Sequence, residues 1–256
     1  APSRGLGDVY KRQLLDASDR GASDLTVAGK LFCDRFPPDK IPALPTCGIF
    51  LRREFPLKNN LEFPEGIHPC EDGLFSHFVL ALTEKISFCP EAVYHYRQHE
   101  QGNHHQIRKR TADILPMIPR WLSLIEEFYE QRHLWKRKAG HLVRFIEHEP
   151  FELRLLGMPF SPPEQEILYS IIRDFLNAHC TAAECRRASL HLPFRLLLQS
   201  SGFSDFGRRL RRAGKNTGIR RKLLHFCPVP SWRRNGRAQL RQVREQLEEI
   251  RRNITF

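Results

Sequence analysis

Two adjacent carboxylates, Glu71 and Asp72, stand where a turn-rich loop meets an apolar run in FPEGIHPCEDGLFSHFVLAL, residues 63–82. Carboxylates at the start of a helix can satisfy its free N–H groups and the positive end of its dipole, worth roughly 0.3–1 kcal/mol. The same groups can take a proton from an attacking hydroxyl. The dipeptide alone does not choose between these roles. Downstream, Ala92 to Gln98 reads as a strand that places His95, Arg97 and then His99 on one face. His68, Cys70, His77 and Cys89 are metal-capable types, but their spacing fits no ligand pattern, so they are expected in core or loop positions.

The elements that must position these groups follow from periodicity. After Asp72, the apolar residues Leu74, Phe75, Phe78, Val79 and Leu82 recur as one face of an amphipathic helix, with the acid pair in its first turn or cap. KISFC, residues 85–89, reads as a short strand, and Pro90-Glu91 as a turn into the strand at 92. From about residue 108 the pattern becomes helical. One long stretch is notched by prolines between Ile114 and His148, and a second helix is capped near Ser161.

The string GIFLRREFPLKNNLEFPEGIHPCEDGLFSHFVLALTEKISFCPEAVYHYRQH closely resembles the second half of the catalytic domain of family 2 glycosyltransferases of the bacterial envelope-polysaccharide type. There, a G-x-L-F-R-R-E-F-L segment precedes F-P-E-G, an E-D pair opens a helix, and a strand ends in Y-x-Y-R. The order and spacing of these motifs carry the resemblance, over about residues 44–103. It implies part of a GT-A fold, with α/β structure followed by a helical C-terminal region. It also implies an inverting transfer of sugar from a nucleotide-sugar donor to a glycan or lipid-linked acceptor. Asp72 then matches the catalytic base, with Glu71 beside it, and Arg97, flanked by His95 and His99, faces the donor diphosphate. A divalent metal, Mg or Mn, is implied as cofactor. Its Asp-x-Asp ligands belong to an upstream half that residues 1–43 are too short to build, and Cys47 stands where the family often has an aromatic residue.

The expected organisation is an irregular leader (1–23), the GT-A half (24–107), a helical region (108–200) and a basic helical tail (201–256). Ala1 and the turn-rich residues after it suggest a truncated or mis-joined reading frame. The tail has 15 Lys and Arg against 4 Asp and Glu, a balance of +11 out of the formal +12 of the whole 256-residue chain. It therefore reads either as a solvated helix or as one that lies on an anionic bilayer with Phe206, Leu223 and Phe226 inserted. The alternative class is a basic helical nucleic-acid-binding or interaction protein. Against it, the tail has no reading helix, RNP motif or aromatic stacking surface. No stretch of 18 consecutive apolar residues and no signal-peptide pattern occur. A cytoplasmic protein is therefore expected, and the bilayer reading of the tail would make it peripheral on the inner face of the cytoplasmic membrane. The seven cysteines lack C-x-x-C spacing and are expected as reduced packing residues.

Overall fold

The computed structural model describes residues 25–28, 41, 43, 46–83, 86–89, 91–92, 110–189, 191–225 and 241. They divide into two compact units, one from residues 1–107 and 116–145, the other from residues 108–115 and 146–256.

The first unit is built around a mixed three-stranded sheet in the order β2-β1-β3. Strand β1 (Leu25–Ala28) pairs antiparallel with β2 (Ile49–Leu51) and parallel with β3 (Ile86–Cys89). β3 falls within the stretch whose apolar and β-branched residues predict it, and Cys89 and Ala92 bury against Phe50. Helix α1 (Glu54–Lys58) follows β2, and α2 (Glu71–Leu82) carries the acid pair. The predicted strand beyond Ala92, with His95, Arg97 and His99, lies outside the described residues.

Helix α2 starts where the sequence predicts, but it is not amphipathic. Every residue from Gly73 to Ala81 is buried, including Ser76 and His77, whereas Leu82, placed on the apolar face by periodicity, is only half-buried. A helix covered on all sides needs no polar face, so periodicity within it identifies neighbours without identifying a solvent side. Its cover comes in part from α4 (Met117–Gln131), whose Ile118, Trp121, Leu122, Ile125, Phe128 and Tyr129 recur at helical spacing and are buried. Phe78 stacks on Phe128 with ring centroids 4.2 Å apart.

The expected long helical stretch is several elements: α3 (Thr111–Ile114), α4, α5 (Trp135–Ile146) and a π-helix (Glu147–Leu156). His133, at φ 52, turns the chain between α4 and α5. Pro150 lies inside the π-helix. In an α-helix its ring would meet a carbonyl one turn back and its missing N–H would break the ladder, and a wider turn relieves both problems. Gly157 ends the segment. A Cβ there would lie 2.7 Å from the Leu153 carbonyl oxygen, so the chain closes on itself only with glycine.

The second unit is helical. Helix α6 (Pro162–His179) has Ser161 as N-cap and Pro162 at its first position, as predicted, and adds a Ser161–Glu164 capping box. Helices α7 (Ala182–Ala188), α8 (Leu192–Gln199) and α9 (Phe203–His225) complete it. Phe151, Phe194 and Phe206 form its aromatic centre, with Phe151 5.1 Å from Phe194 and 6.1 Å from Phe206. One Arg173 nitrogen, Nη1, donates to the carbonyls of Leu197, Leu198 and Ser200 at 2.7, 3.2 and 2.6 Å, closing the end of α8.

This corrects the expected bilayer face of the tail. Phe206 is fully buried and Leu210 nearly so, because α9 turns its apolar side into this core and leaves Arg208, Arg211 and Arg212 exposed. The side chains of Leu223 and Phe226 lie outside the described residues. Among the described residues, no helix is long and apolar enough to cross a membrane.

Candidate functional site at the start of helix α2

The chain reaches α2 through a tightly turned loop. Gly66 takes φ 65, and the Arg120 guanidinium of α4 lies 3.4 Å from where its Cβ would stand. Cys70 takes φ 91, a conformation that L-residues avoid and that costs about 1–3 kcal/mol. That turn launches the helix at once. The Leu74 N–H donates to the Cys70 carbonyl at 2.9 Å, with no side-chain cap at Cys70, so Glu71 and Asp72 supply the first-turn charge.

The two carboxylates differ in setting. Glu71 Oε1 lies 3.3 Å from His68 Nδ1, in an exposed pair. Asp72 Oδ1 accepts from the Gly73 N–H at 2.8 Å. Both are half-buried, at the end of a helix buried from Gly73 to Ala81. Helical spacing puts Phe75 one turn below Glu71, and Phe63 stacks on Phe75 with centroids 4.0 Å apart while remaining 50% exposed. An exposed aromatic ring, Phe63, therefore lies over the first turns of the helix that carries the acid pair.

The roll of α2 is fixed by a buried stack that sequence reasoning missed. His77 lies parallel to His141 of α5, with centroids 4.3 Å apart, and its Nε2 is 3.2 Å from the Tyr129 hydroxyl. Phe145 packs on the same ring at 4.3 Å. Burial, then the neighbouring His77, Lys138 and Arg144, push the His141 imidazolium pKa well below its ordinary value, outweighing the Ile41 backbone contact that favours protonation. His141 is therefore held neutral. His77 follows Asp72 by five residues, so anchoring its ring also sets the direction of the first turn.

Of the metal-capable residues, Cys70, His77 and Cys89 are buried and His68 is exposed. Among the described residues, no group of three or more His, Cys, Asp or Glu side chains converges to hold a metal. The described donor set therefore does not fit the implied Mg or Mn ion, and no step is derived through one. Arg97, His95 and His99 lie outside the described residues. Arg120 is a cation near the loop that the motif reading did not single out. Only the helical period of α4 could have suggested its exposed side, and nothing local pairs it with Gly66.

Compared with family profiles, curated proteins and solved structures, the chain matches none.

Proposed function

We propose that this chain carries the acceptor side of an inverting glycosyltransferase, with Asp72 as general base. The observation that carries the reading is the placement of the acid pair. Two half-buried carboxylates occupy the solvent-reaching end of a helix that is otherwise enclosed, and a strained, non-glycine left-handed residue sets their turn. The spacing of the F-P-E-G, E-D and Y-x-Y-R motifs supplies the reaction class.

The chemistry fits these groups. An acceptor hydroxyl is too weak an acid to ionise beforehand, and it becomes acidic as its oxygen bonds to the anomeric carbon of the donor. An aspartate, ionised at neutral pH, accepts that proton when held within hydrogen-bond reach. The enclosed helix keeps the carboxylate in place, which is where most of the rate gain from positioning arises. As the sugar bond to the nucleoside diphosphate breaks, charge grows on the leaving phosphate, and a cation stabilises it. Arg97, with His95 and His99, takes that role by motif, and the donor half with its metal ligands would come from upstream sequence. Glu71, paired with His68, borders the acceptor approach. The exposed arginines of α9 suit an anionic membrane surface, consistent with a lipid-linked acceptor on the inner face of the cytoplasmic membrane.

The test is turnover of a nucleotide-sugar panel by a chain extended upstream through the donor-binding half, with acceptor glycans present. Acceptor-dependent release of nucleoside diphosphate from one donor is expected. Failure of every donor, in a chain that binds nucleoside diphosphate with Mg or Mn, would contradict the reading.

A further inference from the structure

The same capping box opens two successive helices of the second unit. At α6, the Ser161 N–H and hydroxyl both donate to Glu164 Oε2 at 2.7 Å, with Phe160 before the cap and Gln165 four positions into the helix. At α7, Thr181 and Glu184 do the same. The Thr181 N–H and hydroxyl donate to Glu184 Oε2 at 2.8 and 2.6 Å, and the Glu184 N–H donates back to the Thr181 hydroxyl at 3.2 Å. In this motif the residue before the cap and the fourth helical residue fold over each other as a staple, usually with two apolar side chains. Here both positions are cysteine, Cys180 and Cys185.

The backbone fixes both ends of this staple. The Cys180 N–H donates to the Leu176 carbonyl at 2.8 Å and so ends α6, while the Cys185 N–H donates to the Thr181 carbonyl at 3.0 Å within α7. Cys180 is extended, at φ −132 and ψ 140, so the chain passes from the end of α6 directly into the cap of α7. Cys180 is half-buried and Cys185 is buried, and both are thiols. From this geometry we propose that Cys180 and Cys185 form a redox modification site, a dithiol that hydroperoxides convert to a disulfide across the junction of α6 and α7.

The staple brings the two thiols together over the first turn of α7. Either thiol, as its thiolate, attacks a peroxide oxygen, forming an S–O bond as the O–O bond breaks and an alkoxide or hydroxide leaves with a proton. The other sulfur then attacks the resulting sulfenic acid. The S–S bond forms, the S–O bond breaks, and hydroxide departs as water with that thiol's proton. The balance is two thiols and one hydroperoxide giving a disulfide, an alcohol and water; with hydrogen peroxide, two waters form. The bridge would tie the end of α6 to the first turns of α7 and hold the capping box shut.

The site can be read directly, because trypsin releases Asp174 to Arg186 as one peptide containing both cysteines. The purified chain is treated with a limiting amount of hydrogen peroxide, alkylated with iodoacetamide, digested and weighed. The expected product is this peptide lighter by two hydrogens and unalkylated, returned to two alkylatable thiols by dithiothreitol. Preorganisation by the staple predicts formation about ten-fold faster in the native chain than in urea. Cys180→Ser and Cys185→Ser should each abolish the product. Sulfinic acid at either residue, a bridge from either to another cysteine, or a native rate no greater than the rate in urea would overturn the proposal.

Discussion

The two units handle buried polarity in opposite ways. The first encloses a stacked assembly, His77, His141 and Tyr129, in which His141 is held neutral and a hydroxyl lies within hydrogen-bond distance of both imidazoles. The second encloses charge. Arg154 Nη2 lies 2.9 Å from Glu149 Oε2 with both side chains nearly buried, and buried Glu147 accepts the His191 N–H at 2.7 Å. The Glu152 carboxylate reaches His148 Nδ1 at 3.6 Å and His191 Nε2 at 3.4 Å. The difference teaches what each element can tolerate. The buried middle of α2 packs on aromatic rings, with its acids confined to the first turn, whereas the π-helix gathers acids, histidine and arginine within ten residues. Stacking on a neutral His141 fixes the orientation of α2 at neutral pH, which suits the proposed role of Asp72.

The largest expected effect that would break this comparison is at the buried ion pair. Arg154→Met removes one partner and leaves Glu149 enclosed with its charge, so stability should fall by about 3–5 kcal/mol in urea denaturation at neutral pH. Glu149→Leu on the same background should recover most of the loss, because the matched apolar pair no longer strands a charge. If the single substitution costs no more than a surface change, the second unit does not depend on this pair.

A smaller effect, opposite in sign between units, sharpens the contrast. At His148, burial lowers the pKa, but the hydrogen bond to Glu152 and the charges of Glu149 and Glu152 outweigh it and Arg154, so the folded value lies above the ordinary 6.5. The folded second unit therefore holds its proton more tightly than the unfolded chain. That contribution is fully present below pH 6.5 and is lost as pH rises through the folded value. His141 is depressed, so the unfolded chain binds the proton more tightly, and the first unit loses stability as pH falls below 6.5. Amide exchange, corrected for its intrinsic pH dependence, should show α4 and α5 less protected in mild acid. The π-helix and α8 should be less protected in mild alkali. Parallel responses in the two units would show that these histidines do not govern them.

How much of this was legible depended on the range of the interaction. The Ser161 cap with Pro162 behind it, the start of α2 at Glu71 and the strand at Ile86 are local events, set by neighbouring residues, and the sequence announces each. His77 meets Tyr129 across 52 positions, so nothing near His77 distinguishes a stacked core histidine from a loop one. The all-round burial of α2 was hidden for the same reason: Ser76 and His77 look like a polar face until their partners arrive from other helices. Phe206 misled in the other direction. Among arginines its spacing suggests a membrane face, yet the same amphipathic pattern serves equally to pack a helix on Phe151. The acid pair was legible as a type and a place, while its setting, with Cys70 at φ 91 and Phe63 stacked on Phe75, was not.

The most direct test of the account concerns Asp72. Asparagine keeps the oxygen that accepts the Gly73 N–H, so the start of α2 is preserved, but it cannot take a proton. In the upstream-extended enzyme, Asp72→Asn should lower the turnover number by roughly 10²–10⁴-fold with donor affinity little changed, as expected for loss of a general base. Turnover equal to that of the unsubstituted enzyme would contradict the account and leave Asp72 as a first-turn charge that serves the helix alone.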